Sequence, residues 1–206
     1  MLDLLIPPSH GGYAKGHENR EAILRAALGV LVDEGYAAMT MRRVAKECGL
    51  KFGNLTYYFR SHEDMVNALL EAVISAYEVE FDAILQEVVA DPGERLKRYC
   101  RLVLEDLQTR KTTCIFPEIW ALSNHSAFIA ERMDEMYRRA RAPLLEILRD
   151  MRPDLPERKR ENLALFVSAS MEGMTMFVGH DKAFSDQIED LIAIQIAAFL
   201  ETIRNV

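Results

Sequence analysis

The chain has 206 residues, half of them hydrophobic, and 25 Lys/Arg against 32 Asp/Glu give it a formal net charge of −7. That is the make-up of a soluble globular chain with a large core, in one domain or two small ones. No apolar run approaches the ~20 residues a membrane helix needs, and the leading MLDLLIPP is short, lacks basic residues and stops at a double proline, so no signal peptide is expected. Three cysteines (Cys48, Cys100, Cys114) are odd in number and far apart, as expected of reduced thiols serving as small buried hydrophobes in a cytoplasm. The charge is unevenly spread. Residues 15–64 hold eight Lys/Arg against seven Asp/Glu, and residues 65–206 hold 17 against 24. A near-neutral head on an acidic body permits DNA contact through one end only and rests affinity on a few placed contacts.

Residues 1–17 contain Pro7-Pro8 and Gly11-Gly12 without a hydrophobic period and read as a mobile arm. A first helix is expected over 18–34, with Ile23, Ala27, Val30 and Leu31 inward and Gly35 ending it. Met41, Val44, Ala45 and Cys48 then recur at i, i+3, i+4 and i+7, one face of a second helix. Thr40 precedes that face as an N-cap, and Gly49 follows it, suited to a left-handed terminator. After a turn over 50–53, Leu55, Tyr58 and Phe59 form the inward face of a short third helix. Asn54, Thr56 and Tyr57 then face outward, with Lys51 and Phe52 at the entrance. Two short helices about a glycine-containing turn make a helix-turn-helix, although an ordinary helical hairpin has the same pattern.

Ser61 with Asp64 forms a capping box for a long fourth helix reaching about Val89. Asp91-Pro92-Gly93-Glu94 starts a fifth, to about Thr109, and a short sixth is expected over 116–123 with the single Trp120. Ser126 caps a seventh reaching about Met151, where Pro143 predicts a kink or a break. The eighth spans about 156–178 and ends at Gly179; Ser185 caps a ninth that runs to about Arg204. No strand-like run and no internal repeat occurs, so the fold class is all-α with about nine helices. Helix eight (Leu163, Leu165, Phe166, Val167, Met171, Met174, Phe177) and helix nine (Leu191, Ile192, Ile194, Ile196, Phe199, Ile203) are apolar on more than one side. A helix apolar all round is buried all round. In a chain this size the second partner is expected to be another subunit, with a buried hairpin in a monomer as the alternative.

The order Thr-x-Arg-x-Val-Ala followed by Gly-Leu-x-x-Gly-Asn-Leu-x-Tyr-Tyr-Phe-x-Ser resembles the TetR family of bacterial transcription regulators over residues 18–65. The resemblance implies a homodimer joined through its last two helices, binding a palindromic operator with half-sites about one DNA turn (~34 Å) or a multiple apart. It divides the chain into an arm (1–17), a DNA-binding domain (18–64) and an effector-binding and dimerisation domain (65–206). Carried onto matching positions, Arg42 becomes the base contact, with Arg43 beside it, and Lys51, Phe52, Gly53, Asn54 and Tyr57 enter the major groove. Thr40, Tyr58 and His62 match positions that contact the DNA backbone. Three residues depart from the family pattern: Thr56 stands for a phosphate-binding tyrosine, Phe52 for a polar residue, and His62 for a lysine. Phe52 then suits a thymine methyl, and His62 would let binding strengthen modestly as pH falls.

The resemblance also implies a small apolar or amphipathic effector held among the later helices. Candidate lining residues are Phe116, Trp120, His125, Phe128, Met133, Tyr137, Met171, Met174 and Phe177, with Glu118, Asn124 and Glu172 as orienting polar groups. At helical spacing the same side chains also read as ordinary core. The stretch 120–148 with Glu172-Gly173-Met174 faintly resembles the betaine-inhibitor branch of the family. Catalysis has little support: there is no Gly-x-Ser-x-Gly, no phosphate-cradling glycine loop and no His-Glu-x-x-His, and the five histidines lack metal spacing. The sequence therefore reads as a ligand-responsive repressor with no catalytic residue, metal or cofactor and no membrane partner. A helical carrier of small molecules or lipids, or an enzyme, is the alternative.

Overall fold

A computed structural model describes residues 4–6, 14–86 and 91–206. Among them nine α-helices and two 3-10 turns carry the fold and no strand occurs, as the all-α reading expects. The chain forms two compact units. One contains α1 (Ala14–Glu34), a 3-10 turn (Tyr36–Ala38), α2 (Met41–Glu47), α3 (Phe52–Tyr58) and α4 (His62–Gln86) as far as Ala76. To these it adds α6 (Arg110–Ser123) from Cys114 and α7 (Ala127–Met151) as far as Met136. Its core is built from Ile23, Leu24, Ala27 and Leu31 of α1 with Val44, Leu55, Phe59, Met65 and Leu69. The other unit holds Tyr77–Thr113 and Tyr137–Val206, including α5 (Pro92–Asp106), α8 (Glu157–Val178) and α9 (Ile188–Asn205). There α5 packs on α8 and α9 around Leu96, Leu104, Val167, Ile192 and Phe199.

Local signals place most helix ends. Ser61 Oγ accepts from the Asp64 N–H (3.0 Å) while Asp64 accepts from the Ser61 N–H (3.2 Å), the expected capping box. Asp91 accepts from the Gly93 N–H (2.9 Å) with Pro92 inside the first turn. The C-terminal carbonyls of Ile203 and Val206 accept from the Arg152 guanidinium (2.5 and 2.8 Å), which satisfies the end of α9.

Several expectations are corrected. α1 begins at Ala14, four residues early. Within the expected mobile arm, Leu4 and Ile6 are buried and the Leu5 N–H donates to the Ala72 carbonyl (3.2 Å). Around Ala72, α4 buries Leu69, Leu70, Val73 and Ile74 on several of its sides, which gives apolar cover for the arm to join. Residues 1–3, 7–13 and the expected end of α4 at 87–90 lie outside the described residues. α6 starts at Arg110 rather than 116, because the Thr109 hydroxyl accepts from the Thr112 N–H (3.2 Å) as a cap. α7 passes Pro143 unbroken. Ser185 opens a 3-10 turn instead of capping α9, which starts at Ile188 without a side-chain cap.

Gly179 ends α8, but not by a left-handed turn, since its φ is −67°. A Cβ there would meet Thr113 Oγ1 at 2.6 Å and the Thr175 carbonyl at 3.1 Å. The same hydroxyl accepts from the His180 N–H (2.8 Å) and donates to the Leu107 carbonyl (2.9 Å), so it has no room to retreat. Gly179→Ala is therefore expected to cost about 1–3 kcal/mol, read as a lowered urea midpoint. An unchanged midpoint would show that the contact relaxes freely.

Candidate nucleic-acid interface

The helix-turn-helix is assembled from caps and short-range packing. The Thr40 hydroxyl accepts from the Arg43 N–H (3.2 Å) to open α2, and Gly49 closes it at φ +69°. Val44, Ala45 and Leu55 are buried between α2, α3 and α1, while Met41 and Cys48 are half-buried. α3 begins at Phe52, so the turn occupies 48–51 and ends earlier than the sequence pattern indicates.

Within this frame the candidate DNA contacts separate into engaged and open groups. The Arg43 guanidinium is gripped by Glu34 of α1 (3.1 Å from Nε) and Glu47 of α2 (2.7 Å from Nη1), which raises its pKa above the usual guanidinium value, chiefly through those hydrogen bonds. Arg43 thus ties α2 to α1. The Tyr58 hydroxyl accepts from the Asn19 amide (2.8 Å), and Thr56 Oγ1 donates back to the Gly53 carbonyl (3.0 Å). His62 Nε2 lies 2.8 Å from the Met39 carbonyl, so that nitrogen carries a proton and donates. Its ring also meets the edge of Tyr36 at 5.4 Å. The open set is Arg42, Lys51, Phe52, Gly53, Asn54 and Tyr57, all exposed, with Tyr57 at 83 %. Arg42 sits with Cζ 5.6 Å from the centre of the Phe52 ring.

Two positioning groups escaped the sequence reading because their partners are distant in the chain. Asn19 orients Tyr58 across 39 residues. Glu118 of α6, read as an effector-orienting group, accepts from the Tyr36 N–H (3.2 Å) and lies against Gly35, whose φ is +83°. It thereby grips the turn that leads into α2.

The effector candidates divide between the units. Phe116 is buried, with its ring 6.4 Å from the half-buried Trp120; Phe128 and Met133 are half-buried and His125 is exposed, all in the unit that holds the helix-turn-helix. In the other unit Met171 is buried, Met174 and Tyr137 are half-buried, and Phe177 is exposed on the outer side of α8. There Tyr137 hydrogen-bonds Glu172. Glu172 keeps some accessible surface, yet desolvation pushes its carboxyl up to about 7 against the lowering effect of that bond. Nearby, the buried Asp106 accepts from the Tyr77 hydroxyl and from Thr112 Oγ1 (2.5 Å each) through Oδ2, while its buried Oδ1 has no hydrogen-bond partner. Charges on Asp106 and Glu172 both raise the Tyr77 pKa, after the larger effect of burial, and Glu172 acts likewise on Tyr99, which Arg141 opposes. The Phe81 and Tyr99 rings stack at 4.7 Å beside this cluster. Neither carboxylate has an ion-pair partner among the described residues. Cys100 is buried with its thiol pushed up to about 12 by desolvation, and all three cysteines are free.

No helix among the described residues is long and apolar enough to cross a membrane, and no group of three or more His, Cys, Asp or Glu is placed to hold a metal ion. The all-α fold with its exposed helix-turn-helix face defines a DNA-binding regulator. Residues 23–69 match the bacterial regulatory proteins of the tetR family, and residues 92–201 match the C-terminal region of BetI-type transcriptional repressors. The chain belongs to the TetR family, with a BetI-type C-terminal region. Members of this family are transcriptional regulators, not enzymes, and bind operator DNA and small-molecule effectors. The HTH-type transcriptional regulator YerO of Bacillus subtilis is 25% identical over 132 residues, 60% of this chain and 46% of its own length, so the match spans about half of that protein. BetI of Rhizobium meliloti is 27% identical over 151 residues, 72% of this chain and 73% of its own. Among solved structures, a transcriptional regulator from Saccharomonospora viridis in complex with choline shares the fold. Its TM-score is 0.64 at 22% identity, over 91% of this chain and 96% of that one.

The Glu172 carboxyl gives a sign-definite expectation. Between pH 4.5 and about 7 the folded protein keeps a proton that the unfolded chain releases. Stability should fall as pH rises through that window, by roughly 3 kcal/mol in all. Glu172→Gln should remove this contribution. Urea unfolding at pH 5 and pH 7.5 checks it: equal pH slopes for the two proteins would refute the assignment.

Proposed function

We propose that the protein is a cytoplasmic homodimeric repressor whose two heads (residues 18–64) bind a palindromic operator and whose body (65–206) takes up an effector and forms the dimer. The observation that carries this reading is the open face of Arg42, Lys51, Phe52, Asn54 and Tyr57 on a helix-turn-helix locked by Arg43, Tyr58 and His62. Arg42 reads a guanine bidentately, and Lys51 and Tyr57 meet the backbone and groove. Dimerisation is supported by apolar side chains left in solvent on the last two helices: Leu165, Phe166, Met176 and Phe177 of α8 and Ile194 of α9. A second copy related by a two-fold axis would cover this face.

For the effector we propose a small organic cation with apolar substituents. Two carboxyl groups without ion pairs, Asp106 and Glu172, lie beside Tyr77, Tyr99 and Tyr137, and a bound cation would favour their charged forms. The choline complex of the Saccharomonospora viridis regulator points the same way. Binding would favour a protein state that fits the operator less well and so shift the population away from DNA.

A gel shift of the purified protein on its own upstream DNA, at two salt concentrations, tests the reading. A retarded, salt-sensitive band that survives non-specific competitor and is released by choline supports it. Absence of any shift, on that DNA and after selection from a random pool, overturns it. Arg42→Ala should lower discrimination at one base pair by about 5- to 150-fold with the fold intact, measured by competition with single-base operator variants. Ile194→Asp should convert a dimer to a monomer in analytical ultracentrifugation, and a dimer that persists would move the interface elsewhere.

A further inference from the structure

We infer that Phe52 is a positioning residue for base readout, its ring serving as the platform that aims the Arg42 guanidinium. The inference rests on the reading of Arg42 as the base contact. Phe52 opens α3 and Arg42 lies in the first turn of α2, so the pair spans the helix-turn-helix, with Cζ 5.6 Å from the ring centre. The ring is 45 % exposed, whereas Leu55 and Phe59 of the same segment are buried in the core. An exposed apolar ring thus stands beside a guanidinium. Arg42 has no carboxylate partner among the described residues, whereas its neighbour Arg43 has two. A free arginine loses much side-chain freedom when it docks on a base. Attraction between guanidinium and ring restricts it beforehand. A guanidinium held near a ring by this attraction still has N–H groups free for guanine O6 and N7.

This role differs from direct contact of Phe52 with a thymine methyl, and one set of variants separates the two. The full-length wild type selects an operator from a random duplex pool. Affinities for it and for its single-base variants are then measured for wild type, Phe52→Tyr, Phe52→Leu, Arg42→Ala and Phe52→Leu/Arg42→Ala, with thermal unfolding to show that each is folded. Leucine keeps apolar bulk without a π face; tyrosine keeps the face. The expected result is a loss of about three- to thirty-fold in discrimination for Phe52→Leu, at the base pair that Arg42→Ala also relaxes. Phe52→Tyr keeps discrimination, and the double variant discriminates no worse than Arg42→Ala alone. Unchanged discrimination in Phe52→Leu overturns the inference, as does a loss at a different base pair that adds to the Arg42 effect. If Arg42→Ala itself changes no base preference, the base-contact reading fails, and the inference with it.

Discussion

Between Glu34 and Met41 the chain turns from α1 into α2, and the side chains that hold this turn orient the reading head. Arg43 reaches back to Glu34 and forward to Glu47, Thr40 caps α2, His62 ties the Met39 carbonyl, and Glu118 takes the Tyr36 N–H. Helices as short as α2 and α3, seven residues each, are unstable alone, so their orientation comes from tertiary contacts. A surface ion pair adds little stability by itself. Its value here is geometric, because it fixes the direction in which α2 leaves the turn.

The body presents the opposite energetics. Burying Glu172 and Asp106 among aromatic rings sets desolvation against a few hydroxyl donors. An ordinary helical core would place leucine or methionine there. For Glu172 the desolvation outweighs the hydrogen bond from Tyr137, so its proton is held more tightly than in an exposed carboxyl. The nearby Gly179–Thr113 contact shows the same unit packed to its limit where the fold is structural.

Much of the fold was legible in the sequence because it is written in local chemistry. The periods of α1, α2 and α3, the Thr40 and Asp91 caps, the Ser61–Asp64 box and the Gly49 terminator act over three or four residues, within reach of a pattern argument. The misplaced ends have the same explanation in reverse. The start of α6 at Arg110 was missed because a single threonine cap at Thr109 is a weaker sequence signal than the Asp91-Pro92 start of α5. The arm's Leu4 and Ile6 carry no periodicity, and they become core only through tertiary packing, with Leu5 hydrogen-bonded to Ala72 of α4.

What the sequence by itself determined is the all-α class, the helix-turn-helix and the surplus of apolar faces on α8 and α9. Each follows from spacing along one helix. The tertiary structure decided which candidate residues stand open and which are spent on scaffolding. Arg42 and Arg43 are adjacent and chemically identical, yet Arg43 is claimed by Glu34 and Glu47 while Arg42 lies 5.6 Å from the centre of the Phe52 ring. Likewise Glu118 holds a backbone turn 82 residues away, and Glu172 carries a raised pKa. Hydrogen bonding and desolvation depend on which atoms are neighbours in space, and no one-dimensional pattern records that.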